Sequence, residues 1–308
     1  VAFELRRRKH IDGDLVKIVR RELRHAARDL AAAKGDSSDA AVHRSRKIVK
    51  KVRAVASFLE EAGAKVPHKD RKRLKAAAKA LSTLRDSVAI IETFDRVRRR
   101  YPTQLSEHTY SRLRRGLLDA RDREQQRAEQ AGTISRAARR LATTSKSARR
   151  WTSPSITASG IGQVVTAPYR QNRAAMERAQ MTRQSTTLHS WRKVVKTLWC
   201  QMQVSKPLMR GAAPFVADLE KLATLLGDDH NLVVLVATLR LCPELRTMSP
   251  DIRTLGRLAL RMRQQLRRRA FEIGGRLYVR TPNAFGRWIE SCVTTPSGAR
   301  LLTPHGRA

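Results

Sequence analysis

Two short stretches carry the residue types best suited to chemistry. In "VHRSRKIVKKVRAVASFL", Val42 to Leu59, His43 is followed by Arg46, Lys47, Lys50, Lys51 and Arg53. In "LHSWRKVVKTLWCQMQ", Leu188 to Gln203, His189, Arg192, Lys193 and Lys196 repeat the His-x-x-Arg-Lys-x-x-Lys spacing. On an α-helix, positions i, i+3, i+7 and i+10 fall within an arc of roughly 80°, and the step from histidine to last lysine spans roughly 10 Å. His43, Arg46, Lys50 and Arg53 therefore share a face with Lys47 at its edge, while Val52, Val55 and Leu59 point elsewhere and pack. Like charges so spaced destabilise an isolated helix by a few tenths of a kcal/mol per pair, and few acids stand nearby. Arginine offers fixed forks to phosphate oxygens, lysine a compact charge and histidine a pH-dependent donor. The mixture suits a long phosphate chain rather than one buried carboxylate. A solvated helix face is the plainer reading of one such helix. It gives no reason for the same histidine spacing to occur twice.

The elements that position these motifs are helical. Apolar Leu15, Ile18, Val19, Leu23, Ala26, Ala27 and Leu30 recur at helical spacing and predict a helix from Asp14 to Ala33, stopped by Gly35. Asp39 is the expected N-cap of a second helix that ends at Gly63. A third is expected over 69–99 and a fourth over 106–141. The stretch 143–167, rich in Ser, Thr and Gly and holding Pro154, reads as a linker or mobile loop. Helices are then expected over 168–183, 185–205, 214–241, 250–276 and 283–292, followed by a Gly/Pro-containing tail.

The two halves align. His43, Arg46, Lys47 and Lys50 map to His189, Arg192, Lys193 and Lys196 at one offset, and "LSTLRDSV" (Leu81 to Val88) maps to "LGDDHNLV" (Leu226 to Val233) at an offset one residue different. An internal duplication follows, and the expected fold is all-α: two four-helix bundles related by a pseudo-twofold axis. The corresponding division is a first repeat over 1–142, a linker over 143–167, a second repeat with a terminal helix over 168–292, and a tail over 293–308.

Composition bounds the partners. The chain of 308 residues has 64 Lys and Arg against 27 Asp and Glu, a formal net charge of +37, with 41% hydrophobic residues, enough for a core. Such a charge calls for a polyanion: nucleic acid, inorganic polyphosphate, an acidic protein or an anionic membrane. Cys200, Cys242 and Cys292 are widely spaced and form no CxxC pair, which reads as three free thiols in a reducing cytosol. No uninterrupted apolar run reaches the roughly 18 residues of a membrane span, and "VAFELRRRKH" lacks the apolar region of a signal peptide. The expectation is a soluble intracellular protein without a transmembrane segment.

Further cations are placed in the same groove as secondary lining: Arg20 and Arg24; Lys72, Lys75, Lys79 and Arg85; Arg170 and Arg173. Catalytic chemistry finds less support. "GDDH", Gly227 to His230, is the one acid-plus-histidine cluster, and a metal that activates water would draw ligands from several segments. No GxxxxGK[ST] phosphate loop occurs. No metal, no cofactor and no catalytic residue is therefore expected. A sequence-blind nucleic-acid-binding protein is the alternative class. Against it, aromatics are 5% and none interleave with the basic residues as stacking platforms. Trp191 and Trp199 read as packing residues.

Taken together, the two histidine helices, "YRQNRAAM" (Tyr169 to Met176), "LGDDHNLVVL" (Leu226 to Leu235) and "GGRLYVRTPNAFGRW" (Gly274 to Trp288) resemble the CHAD family, the conserved-histidine α-helical domains. The resemblance implies two helical bundles around a basic channel, binding of inorganic polyphosphate, and a cytoplasmic location at polyphosphate granules, with granule proteins as further partners. It implies contacts from His43, Arg46, Lys50, Lys51 and Arg53 and from His189, Arg192, Lys193 and Lys196, with Lys47 beside them. Thr197 and Trp199 stand where the first half has Lys51 and Arg53, and Asn231 stands where the first half has Asp86. On those departures the His43 helix is expected to be the stronger wall.

Overall fold

The structure is a computed structural model that describes residues 5, 10–33, 37–151, 155–242, 245 and 248–294. Most of the N-terminal segment, Gly35, Pro154 and the tail from 295 onward, all addressed above from sequence, lie outside the described residues. Among the described residues there are ten α-helices: α1 (Ile11–Ala32), α2 (Ser37–Glu61), α3 (His68–Arg100), α4 (Glu107–Gln130), α5 (Thr133–Ser147), α6 (Ile161–Thr182), α7 (Ser185–Ser205), α8 (Ala213–Leu241), α9 (Ser249–Leu277) and α10 (Pro282–Thr294). Short 3-10 turns occupy Ala148–Arg150, Lys206–Leu208 and Arg210–Ala212.

Four points differ from the sequence reading. The fourth expected helix is two, α4 and α5, broken at Gly132, whose φ of 56° lies in the left-handed region that glycine adopts at little cost. The stretch 143–167 holds the end of α5, a 3-10 turn and the first turns of α6. Pro168 lies inside α6 rather than at its start. Proline within a helix costs about 3 kcal/mol. Here Ile161, Val164 and Val165 upstream of it are buried, and the Pro168 carbonyl accepts a hydrogen bond from Asn172 Nδ2 at 2.8 Å. Burial of the preceding turns extends the helix past the local breaker. Asp39 falls in the first turn of α2 instead of capping it. Gly63, with φ 88°, follows the end of α2 as expected.

The helices pair in one order twice. α1 packs on α2, α2 on α3, α3 on α4 and α1 on α5; likewise α6 packs on α7, α7 on α8, α8 on α9 and α6 on α10. Between halves, α2 packs on α7 and α3 on α8. That pattern does not conflict with a duplicated unit, although α3 also packs on α5 and α8 makes no comparable contact with α10 among the described residues. The apolar core does not divide by halves, however. One cluster joins α1, α2, α5, α6, α7 and α10 with the early turns of α3 and α8. The other joins the later turns of α3 (Ile90, Ile91, Phe94, Val97) and α8 (Leu232, Leu235, Leu239) with α4 and α9. The two long helices α3 and α8 thus belong to both cores and tie the halves together.

The motifs at the start and end of the second half are packing motifs. Tyr169 is fully buried, stacks on Phe285 with ring centroids 3.9 Å apart, and donates to the carbonyls of Leu277 (3.0 Å) and Arg280 (3.1 Å). Tyr278 donates to Asn172 Oδ1 at 3.2 Å. α6 and α10 approach backbone to backbone: a Cβ at Gly286 would sit 2.5 Å from Thr166 Oγ1 and 3.2 Å from the Gly162 carbonyl. Cys200, Cys242 and Cys292 are free and buried. α8 is long and apolar enough to cross a membrane by length and composition, with a mean hydropathy of 1.3 over its most apolar 18 residues. In this fold that apolar surface packs against α7, α9 and α3.

Candidate anion-binding site

The pairings of α2 with α7, α3 with α8, α2 with α3 and α7 with α8 bring both histidine motifs to one place. α2 is held by its buried apolar residues, among them Val42, Val49, Val52, Val55 and Leu59. Ser45 Oγ donates to the Ala26 carbonyl on α1 (3.3 Å), and Gln201 Nε2 of α7 donates to the Ala54 carbonyl (3.3 Å). With those contacts made, the cationic faces of α2 and α7 turn toward α3 and α8.

In the first half most polar groups near the motif have partners, although Arg85 Nη1 is buried without one among the described residues. Arg46 Nε donates to Ser82 Oγ at 3.1 Å and Arg46 Nη2 to Asp86 Oδ1 at 2.8 Å. Arg85 Nε donates to His43 Nδ1 at 3.0 Å, and Arg85 Nη2 donates to Glu92 Oε2 at 2.8 Å. A histidine that accepts at Nδ1 carries its proton on Nε2, leaving that N–H as its donor. Burial, and then the charges of Lys47 and Arg85, hold His43 below the usual imidazole range and keep it neutral.

The second half has the same skeleton and fewer partners. The repeat register sets His230 opposite Arg85, and the His189 and His230 rings lie 4.3 Å apart, tilted by 36°. Burial, then Arg192, His189 and Lys193, push His230 down to about 4. His189 Nδ1 and Arg192 Nε are buried and have no hydrogen-bond partner among the described residues. The reason lies in α8. Gly227 stands where Ser82 stands, and a Cβ there would lie 3.8 Å from Arg192 Nε; Asn231 stands where Asp86 stands.

Between the halves, four cations crowd together. Lys50 is pushed down to about 7, first by burial and then by Arg46, Lys196 and Arg192. Lys196 is pushed down to about 8, first by burial and then by Arg192 and Arg46. Arg46 and Arg192 are themselves held below the ordinary guanidinium range, in each case chiefly by burial. Asp86 and Asp228 offset only part of this repulsion. Asp228 also accepts from Arg96 Nη1 of α3 at 2.9 Å. The "GDDH" acids are thus taken up by arginines: Asp229, almost fully buried, accepts from Arg263 Nε (3.1 Å) and Arg267 Nε (2.9 Å) of α9. Among the described residues no three His, Cys, Asp or Glu side chains form a metal-binding group.

The structure therefore gathers His43, Arg46, Lys50, Arg85, His189, Arg192, Lys193 and Lys196, and adds His230, Ser82 and Asp86. His230 and Ser82 were not singled out from sequence as site residues, although the shifted repeat offset places them opposite Arg85 and Gly227. Several expected lining residues lie elsewhere, because helix rotation sends them to other faces. Lys47 and Lys51 line a groove of about 310 Å³ between α1 and α2, with Arg21, His25 and Arg44, while the charge of Lys47 still acts on His43 and that of Lys51 on Cys200 of α7. Arg20 and Arg24 line a separate groove of about 530 Å³ between α1 and α5, with Arg28, Arg139 and Lys146. Arg53, Lys72, Lys75, Lys79 and Arg170 are exposed. Arg173 donates to the Arg280 carbonyl at 3.2 Å and pairs with Glu177 at 3.4 Å. Trp191 is buried against Phe271 and Trp199 packs on the core, as expected of packing residues.

Fold and cluster together define an all-helical protein with a cationic centre shared between two similar halves. The family model of the CHAD domain matches residues 17–240, and the chain belongs to that family. The chain is similar to the crystal structure of the CHAD domain from the plant Ricinus communis, at 14% identity over 90% of this chain and 89% of that one, with a TM-score of 0.49. No curated protein matches the chain.

Proposed function

We propose that the protein binds inorganic polyphosphate in the centre formed by α2, α3, α7 and α8, without acting on it chemically. The observation that carries this reading is the quartet of Arg46, Lys50, Arg192 and Lys196, held together across the α2–α7 contact. Burial is strong enough to bring Lys50 to about 7 and Lys196 to about 8. Bringing like charges together out of water is unfavourable unless an anion completes the arrangement. A chain of phosphates satisfies several cations at once and spreads its charge along both walls. Arginine forks and lysine ammoniums suit its oxygens. A cytoplasmic role at polyphosphate granules, with granule proteins as further partners, extends the same proposal.

The test is a titration with long polyphosphate, short polyphosphate and DNA at equal charge concentration. Long polyphosphate is expected to bind most tightly, with an affinity that falls steeply with salt. DNA competing as well as long polyphosphate would replace this reading with sequence-blind nucleic-acid binding. Metal-dependent breakdown of the polymer by purified protein would replace it with an enzyme. Reversing the charge of Arg46 and Lys50 together should cost far more binding than reversing Arg112 and Arg115, which are exposed on α4. Equal losses would reduce the site to diffuse electrostatics.

A further inference from the structure

Resting on the reading above, we infer that the two halves have divided the work: the second half, through Arg192, His189 and His230, is the seat that grips a phosphate, and the first half, with Arg46, is the internally compensated wall. This reverses the ranking that the sequence comparison suggests. The absence of Lys51 and Arg53 equivalents in α7 does not set the ranking: Lys51 lines the α1–α2 groove with its charge reaching Cys200, and Arg53 is exposed. The decisive positions lie in α3 and α8.

In α3, Ser82 and Asp86 occupy two of the donors of Arg46, at 3.1 and 2.8 Å. An anion arriving at Arg46 must compete with a carboxylate already bound there. In α8, Gly227 removes the hydroxyl and Asn231 replaces the carboxylate with a neutral amide. Arg192 Nε is then left buried without an acceptor. His189 differs from His43 in the same sense. His43 Nδ1 is taken by Arg85 Nε at 3.0 Å, whereas His189 Nδ1 is buried and unpartnered beside the ring of His230. Leaving two buried polar groups without partners is unfavourable. A phosphate oxygen that accepts from Arg192 Nε–H and from a His189 Nδ1–H removes that cost, while Arg46 gains only by giving up Asp86. Gly227 supplies no side-chain acceptor where its Cβ would lie 3.8 Å from Arg192 Nε. His230 becomes a binding residue in its own right, the counterpart of Arg85.

The experiment compares single and exchanged variants of the full chain, with thermal melts to confirm folding. Two probes are used: long-chain polyphosphate for affinity, and orthophosphate for histidine ring resonances by NMR. Arg192→Gln is expected to weaken polyphosphate binding at least fivefold more than Arg46→Gln. Giving the second half the first half's acceptors, Gly227→Ser with Asn231→Asp, is expected to weaken binding about tenfold. The opposite exchange, Ser82→Gly with Asp86→Asn, is expected to strengthen it severalfold, a gain that no folding defect mimics. Orthophosphate is expected to shift His189 and His230 before His43. An Arg46→Gln loss equal to or larger than that of Arg192→Gln, or His43 responding first, overturns the division of work even if polyphosphate binds. If polyphosphate does not bind but orthophosphate still shifts His189 and His230 first, the proposed function fails and the ranking of the two seats stands.

Discussion

Lys50 offers a sharp test of the crowded centre. Its amine sits at about 7 against an ordinary value of 10.5, with burial the largest cause and Arg46, Lys196 and Arg192 adding to it. Between those two pH values the unfolded chain binds a proton that the folded chain has released. Stability therefore rises with pH through that window and is lowest below about 7. At about 1.4 kcal/mol per pH unit the full effect approaches 5 kcal/mol. Discounting about half for the solvent that still reaches the amine leaves roughly 2 kcal/mol. Methionine keeps much of the apolar stem and removes the charge. Lys50→Met is thus expected to stabilise the ligand-free protein by roughly 2 kcal/mol at pH 7, with about a third of that gain remaining at pH 9.5. The same variant is expected to lose at least tenfold in polyphosphate binding. Denaturant unfolding at both pH values, paired with a binding titration, reads both effects. A variant that is less stable at pH 7, or equally stabilised at both pH values, would refute the reasoning.

Binding should also depend on pH. A polyanion restores the protons of Lys50 (about 7 when free) and Lys196 (about 8), so complex formation at pH 8 takes up roughly one to one and a half protons and affinity falls as pH rises above 7. Calorimetry in buffers of different ionisation heat measures that uptake, and a flat profile from pH 7 to 9 would count against the buried quartet. Gly286→Ala is expected to cost about 1–3 kcal/mol, because its Cβ would meet Thr166 Oγ1 at 2.5 Å and the Gly162 carbonyl at 3.2 Å, where two helix backbones leave little room to yield; a thermal melt followed by tryptophan fluorescence reports it. Asp70, buried at the start of α3, accepts from Ser147 Oγ (2.7 Å), Trp151 Nε1 (2.9 Å) and Arg73 Nη1 (2.8 Å). Asp70→Ala should lower stability by about 3 kcal/mol, visible as a lower denaturation midpoint with an unchanged slope, while leaving the cationic centre intact.

Much of the fold was legible in the sequence because helices are local objects. Apolar spacing marked nearly every helix, and the two misread segments have physical causes. Gly132 breaks a helix that periodicity alone would continue, and the buried Ile161, Val164 and Val165 carry α6 through Pro168. The histidine motifs were legible for the same reason, since one helix face is set by spacing within a few turns. Their repetition pointed to a shared anion. What remained hidden depends on contacts between distant segments. Sequence alone assigns Arg20, Arg24, Lys47 and Lys51 to one groove with Arg46, but the way α1 packs between α2 and α5 sends them to two others. Nor does a cationic helix reveal which of its charges are already neutralised. Arg46 and Arg192 look equivalent along their own helices. Only the packing of α2 on α3 and of α7 on α8 decides that Ser82 and Asp86 satisfy the first, while Gly227 leaves Arg192 Nε without an acceptor.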